Sequence, residues 1–157
     1  MLSKLIELMP LKVLVINIIM TIMSSKSIQP RGTMRNYETE TRSRWGNTDA
    51  YREYEQKTKN YTKEKWAEAN DGMMAIFAEF DVCKNSGASA NSAEAQALVA
   101  KLQAHITANY YTCTDEILAG LGKMYVADER FKKNIDKYGE GTAEFVAEGI
   151  RIYVEKK

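Results

Sequence analysis

Apolar side chains recur at the spacing of an α-helix in the middle of the chain. Between residues 66 and 80 they are separated by 3, 4, 4 and 3 positions. This spacing places them on one face of a helix about five turns long, the kind of face that packs on a core. Thr62 precedes the stripe as an N-cap and Glu64 follows in the first turn, so we predict a helix from Thr62 to near Cys83. The stripe consists of Trp66, Ala69, Met73, Phe77 and Phe80.

Residues that can cap a helix also precede the other apolar stripes. Ser, Thr, Asp or Asn at such a position accepts a hydrogen bond from the free N–H groups of the first turn. No alternating apolar and polar run follows residue 33, so we predict no strand there and an all-α fold. The predicted helix starts are Asn47 or Thr48, Thr62, Ser92, Thr114, Asp128 and Thr142, with one further short helix over 36–44.

Two glycines fall inside the helix predicted to begin at Thr114. Gly120 and Gly122 each cost about 1 kcal/mol of helix propensity relative to alanine. Two such costs in one helix indicate close approach by a neighbouring backbone or by a ligand.

The first 33 residues differ from the rest in charge and in apolar content. They carry a net charge of +3, and residues 11–23 are nearly all apolar. That run is shorter than the ~20 residues that span a bilayer, and Glu7, Pro10 and the following SSKS do not suit a signal peptide. We therefore expect no stable membrane insertion, a cytoplasmic location, and a functional domain over 34–157. Residues 1–33 are then an apolar segment and linker, either packed on the domain or a partner, or outside the functional unit.

Composition excludes several classes of function. The net charge is +1, with 45% hydrophobic and 27% charged residues, which is typical of a globular domain and not of a strongly basic nucleic-acid binder. Two cysteines are too few for a disulfide scaffold, and one histidine with two cysteines leaves no zinc site of the usual kind. No phosphate-binding loop or nucleophile elbow is present. We predict neither a cofactor nor a metal.

Two side chains could carry chemistry. His105 lies in a predicted helix with no nucleophile near it in sequence, so a structural role is favoured. Cys113 lies just before a helix start, a place that can lower the pKa of a thiol, although a buried cysteine that behaves as a small hydrophobe is the more common case. A small thiol-dependent enzyme, or a structural helical partner domain, therefore remains an alternative to ligand binding.

Aromatic residues make up 10% of the chain, and it has eight methionines. Many of the aromatic residues lie where predicted helices meet loops. Tyrosine has a large apolar body and a polar tip, which suits the wall of a cleft for a bulky ligand. Stripes of this kind are more often simply core, so composition alone favours the core.

Four segments, in this order, resemble the TipAS antibiotic-recognition domain, the C-terminal half of certain MerR-family transcriptional regulators. They are RWGNTDAY at 44–51, YTKEKW at 61–66, YYTC at 110–113 and GLGKMYVADERF at 120–131. The resemblance covers residues ~36–155 and implies a globin-like helical bundle with a ligand cleft. It also implies binding of thiopeptide antibiotics or other lipophilic drugs, either to trigger transcription through a DNA-binding half or to sequester the drug.

The chain departs from this family pattern in two places. Residues 1–33 are too short for the DNA-binding half, so we expect no direct nucleic-acid binding. Some members trap thiopeptides through a cysteine at the position of Gly120, so we expect reversible binding unless Cys113 substitutes for it.

The resemblance also implies where a ligand would bind. The helices from Thr62 to about residue 138 would form an apolar trough, and residues 36–58 would be a lid that orders on binding. The predicted ligand-binding residues are Trp45, Tyr51, Trp66, Phe77, Phe80, Tyr110, Tyr111, Cys113, Leu118, Leu121, Met124, Tyr125 and Phe131.

Overall fold

The computed structural model describes residues 49–157, which contain six helices and no strand. The predicted all-α fold is therefore confirmed. The apolar run 11–23, the predicted helix 36–44 and the candidate caps Asn47 and Thr48 lie outside the described residues. The helices are α1 (Asp49–Thr58), α2 (Lys63–Asn85), α3 (Ala93–Asn109), α4 (Asp115–Ala127), α5 (Glu129–Asp136) and α6 (Thr142–Glu155).

Three of the predicted caps are confirmed by their geometry. The hydroxyls of Thr62, Ser92 and Thr114 accept hydrogen bonds from the backbone N–H three residues later, at 3.1, 3.1 and 3.2 Å. Each bond satisfies one of the N–H groups that the first turn of a helix leaves without an intrahelical partner. The starts of α2, α3 and α4 therefore follow from local sequence.

The start of α6 differs from the prediction. Gly141, in the left-handed conformation with φ 88°, takes the cap position, and the Asp136 carboxylate accepts from the Ala143 N–H at 2.8 Å. The single O–H of the buried Thr142 side chain donates to the Gly139 carbonyl at 2.6 Å, and Asp81 Oδ1 of α2 lies 3.1 Å from the same oxygen. The predicted Thr142 cap is wrong because Gly141 takes the cap position and the Thr142 hydroxyl faces Gly139 and Asp81 instead of the first turn of α6.

The core lies between α2, α3, α4 and α6, with α5 covering one side. The apolar stripe of α2 is buried from Ala69 to Phe80, and its first member, Trp66, lies partly exposed at the edge. Tyr125 of α4 meets Phe77 and Phe131 edge to face, with ring centroids 5.6 and 5.9 Å apart. The close neighbour of Gly122 is a side chain and not the predicted backbone or ligand, because a Cβ there would lie 3.0 Å from Cγ2 of Ile150 in α6.

His105 fastens α3 to α2. Its Nε2 lies 2.8 Å from the Ala69 carbonyl and its Nδ1 lies 3.4 Å from the Asn109 side-chain amide. A carbonyl can only accept, so Nε2 carries the proton and the other nitrogen faces a donor. A Cβ on Gly72 would lie 2.6 Å from His105 Cε1, so the two helices can cross here only because residue 72 has no side chain.

We expect Gly72→Ala to destabilise the fold although alanine favours helices. The clash with a ring held at both nitrogens costs about 1–3 kcal/mol, more than the ~1 kcal/mol of helix propensity gained. Urea denaturation measures the change in the free energy of unfolding. In a His105→Ala background the same substitution should become neutral or stabilising, and equal effects in the two backgrounds would contradict the clash.

Candidate ligand-binding site

The predicted ligand-binding residues that the structure describes lie in one cluster. Trp45 lies outside the described residues, and Tyr51 belongs to α1, where only its backbone is described. Trp66 packs on the edge of the cluster, and the others are buried and line the same core. The buried members are Phe77, Phe80, Tyr110, Tyr111, Cys113, Leu118, Leu121, Met124, Tyr125 and Phe131.

Three partly exposed aromatic rings lie where α1 meets the start of α2. The ring of Trp66 is 5.3 Å from that of Tyr61 and 6.1 Å from that of Tyr54, both edge to face. We call Tyr54, Tyr61 and Trp66 the aromatic face. Tyr54 and Tyr61 were not among the predicted ligand-binding residues. Tyr61 lies in the turn between α1 and α2, and its hydroxyl donates to the Asn109 carbonyl at 2.5 Å, which holds its ring beside Trp66. The ring of Tyr54 reaches Trp66 from α1.

The segment Tyr111–Thr114 connects α3 to α4 and is held from α3. Gln103 Nε2 donates to the Cys113 carbonyl and to Asp115 Oδ1, both at 2.9 Å, and Thr107 Oγ1 accepts from the Cys113 N–H at 3.1 Å. Gln103 Oε1 in turn accepts from the Tyr153 hydroxyl of α6 at 3.2 Å. Gln103 thus positions this segment, a role that no sequence signal indicated.

Helix α1 is attached to the same segment by polar contacts. The Glu53 carboxylate accepts from the Thr112 N–H at 2.8 Å and from its hydroxyl at 2.6 Å, and Lys57 Nζ donates to the Thr107 carbonyl at 2.8 Å. Partial burial opposes ionisation of Glu53, but the Thr112 hydrogen bonds and the charge of Lys57 outweigh it, so its pKa is lowered. We call the Glu53–Thr112 contact the latch.

Most of the chain matches one known protein family. Residues 37–153 match the TipAS antibiotic-recognition domain. This chain belongs to that family.

Relatives of known name support the assignment. The HTH-type transcriptional activator TipA of Streptomyces coelicolor is 40% identical over 114 residues, covering 73% of this chain and 45% of the relative. The HTH-type transcriptional activator mta of Bacillus subtilis is 35% identical over 138 residues, covering 85% of this chain and 50% of the relative. The chain therefore spans about half the length of these activators.

A solved structure shares the fold. TipAS of Streptomyces lividans, in complex with the thiopeptide antibiotic nosiheptide, is 36% identical with a TM-score of 0.72. The match covers 83% of this chain and 88% of the other.

Cys113 does not have the properties of a nucleophile in this TipAS domain. Its side chain is 4% exposed, and burial, with a smaller contribution from the Asp115 carboxylate, raises its pKa to about 12. The thiolate is the reactive form of cysteine, so at neutral pH this side chain is an unreactive thiol. Burial outweighs any effect of the α4 N-terminus, which favours the interpretation of Cys113 as a small hydrophobe.

A second concave surface lies between α4 and α6. Its volume is about 600 Å³, and the residues that line it include Ala119, Val126 and Ala147. On its rim, Arg151 pairs with Glu148 and Glu155 at 2.5 and 2.7 Å. Of the predicted ligand-binding residues whose side chains the structure describes, none lines this groove.

Two further findings concern residues 49–157 alone. Nowhere in this range do three or more His, Cys, Asp or Glu side chains cluster so as to hold a metal ion. Nor does the range contain a helix long and apolar enough to cross a membrane.

We expect Cys113 to resist alkylation in the native chain. At pH 8, iodoacetamide should label it at least about a hundredfold more slowly than in the urea-unfolded chain, because a raised pKa and burial both suppress the thiolate. Mass spectrometry of peptides after timed labelling measures both rates, and the unfolded chain is the control. Fast native labelling below pH 9 would make the thiol-dependent enzyme the better interpretation.

Proposed function

We propose that this chain binds bulky peptide antibiotics of the thiopeptide class, or similar lipophilic drugs, at the aromatic face and the adjoining Tyr111–Thr114 segment. The observation that carries the proposal is the aromatic face itself, three partly exposed rings at the edge of a core made of the predicted ligand-binding residues. The thiopeptide complex of the related TipAS supports it.

The chemistry of the aromatic face suits such a ligand. Aromatic and other flat apolar groups of a ligand can pack edge to face or offset on tyrosine and tryptophan. Burying apolar surface contributes about 25 cal/mol per Å², from which the cost of ordering the ligand and protein is subtracted. A large, flat, apolar ligand therefore gains most where rings are already clustered and partly exposed.

Helix α1 acts as a closing element over this site. It has ten residues, a length at which an isolated helix is marginal in water. Its contacts with the rest of the domain include the latch, the Lys57–Thr107 bond and the Tyr54–Trp66 ring contact. Contacts of this kind can break and reform without disturbing the buried core, so ligand binding and the ordering of α1 are coupled. The rest of the predicted lid, residues 36–48, lies outside the described residues.

Binding is reversible and no turnover follows. Gly120 has no side chain with which to trap an electrophile, and the Cys113 thiol is buried with a raised pKa. His105 is bonded to Ala69 and Asn109, so it has no free position as a general base. These features favour a binding domain over an enzyme. We place the domain in the cytoplasm, where it takes part in drug sensing or sequestration.

The proposed site is tested with nosiheptide and two matched substitutions. Trp66→Ala removes the central ring of the aromatic face and should weaken nosiheptide binding by at least about tenfold, the effect typical of a buried aromatic anchor. Ala147→Leu partly fills the groove between α4 and α6 and should leave the affinity unchanged. Titration calorimetry measures both, at a temperature where thermal unfolding shows each variant to be folded. The opposite pattern would place the antibiotic in the groove.

The latch is tested by Glu53→Gln. The neutral amide cannot replace a charged carboxylate that accepts two hydrogen bonds from Thr112, so the open form of α1 gains population. We expect faster hydrogen exchange over 49–58 without ligand, and an affinity for nosiheptide that falls severalfold while exchange in α3 stays constant. Glu55→Gln, an exposed position on the same helix, is the control. Equal exchange in the two variants would show that the latch does not hold α1.

A further inference from the structure

Tyr125 is held rigidly in the centre of the domain. It is 1% exposed, and its ring is packed edge to face against Phe77 of α2 and against Phe131 of α5. Contacts from two helices restrain the orientation of the ring. The hydroxyl group is buried with it and is shielded from solvent.

Within residues 49–157, no hydrogen-bond partner lies near the Tyr125 hydroxyl. The neighbouring buried Tyr110 differs, because its hydroxyl donates to Asn70 Oδ1 at 2.9 Å. A buried polar group without a partner costs free energy that phenylalanine, with the same shape, would avoid. A buried hydroxyl of this kind is rare in a folded protein and indicates a task beyond packing.

The surroundings of Tyr125 connect it to the proposed site. Tyr125 belongs to the same core cluster as Cys113 and interacts with it electrostatically. Cys113 lies in the Tyr111–Thr114 segment, next to Thr112 of the latch. Burial, and to a lesser extent Cys113, raises the pKa of Tyr125. The hydroxyl is therefore protonated at every physiological pH and is available as a donor.

We propose that the Tyr125 hydroxyl is a specificity-determining donor, which gives a hydrogen bond to an amide carbonyl or heterocycle nitrogen of the bound antibiotic. This inference rests on the proposed function. The inference requires the ligand to reach beneath the Tyr111–Thr114 segment when α1 opens. The Tyr125 hydroxyl then favours ligands that place a hydrogen-bond acceptor next to it over ligands made only of hydrocarbon. A ligand without such an acceptor leaves the hydroxyl unsatisfied.

The test compares three tyrosine-to-phenylalanine variants, each of which removes only one hydroxyl. Tyr125→Phe should keep or raise the thermal unfolding midpoint of the free chain and weaken nosiheptide binding by about tenfold or more. Tyr110→Phe removes a hydroxyl that has a hydrogen-bond partner, so it should lower the thermal unfolding midpoint and shows how large that loss is. Tyr138→Phe, at the turn between α5 and α6, is the affinity control and should bind nosiheptide as the unchanged chain does.

Three results would overturn the inference. The first is equal nosiheptide affinity for Tyr125→Phe and the unchanged chain, which would leave the proposed function standing and remove only the donor. The second is a midpoint for Tyr125→Phe as low as that of Tyr110→Phe, which would show that the hydroxyl already has a partner in the fold. The third is an unchanged chain that does not bind nosiheptide, in which case the proposed function fails as well.

Discussion

The short segment between α3 and α4 is held by side chains from several directions, and the arrangement of the candidate site depends on this restraint. Gln103 binds its backbone from α3, Glu53 binds it from α1, and the Tyr153 hydroxyl supports Gln103 from α6. All three contacts join residues at least ten positions apart in the chain. While these contacts hold the segment against the core, Cys113 stays buried and its thiol stays protonated. The same restraint gives α1 a defined place to close.

Most of the predicted ligand-binding residues are core residues in this structure, and ligand binding is the second role that we propose for them. Phe77, Tyr125 and Phe131 are buried and in ring contact, within the core cluster against which Tyr54 and Trp66 pack. Truncating any of them to alanine removes about 3–5 kcal/mol of packing, a large part of the stability of a domain this size. Loss of binding in such variants therefore says little about contact with the ligand. Substitutions that remove one polar atom, or one partly exposed ring, separate the two roles.

The helices could be predicted because their signals are local. Thr62, Ser92 and Thr114 cap helices within three residues of themselves, and the α2 stripe follows from the spacing of its own apolar side chains. The family could be predicted from four segments that lie far apart but in a fixed order. Both kinds of signal can be read without knowing which helices touch.

The parts that could not be predicted depend on contacts across the fold. Thr142 has the right residue type for a cap, but its hydroxyl lies within hydrogen-bond distance of Asp81, 61 positions away in the sequence. Glu53 and Thr112 are 59 positions apart, and neither stands out among the other charged and hydroxyl residues of the chain. For Cys113 the sequence allows both a thiol with a lowered pKa and a buried cysteine that behaves as a small hydrophobe. Only its burial in the fold decides between them. The site is thus less predictable than the fold because it is assembled from distant residues.

The absence of a trapping nucleophile changes how selectivity must arise. A domain that captures its ligand covalently can retain a weakly matched molecule, because the bond makes dissociation negligible. In the binding mode proposed above, Gly120 and a protonated, buried Cys113 offer no covalent bond, so a ligand is retained only as long as burial and hydrogen bonds outweigh the cost of ordering α1. In that mode α1 opens before the ligand leaves, and the strength of the latch contributes to the dissociation rate, where most differences in affinity between related complexes lie. Ring stacking tolerates many shapes, so discrimination falls to the few buried polar atoms that a wrong ligand would leave unsatisfied.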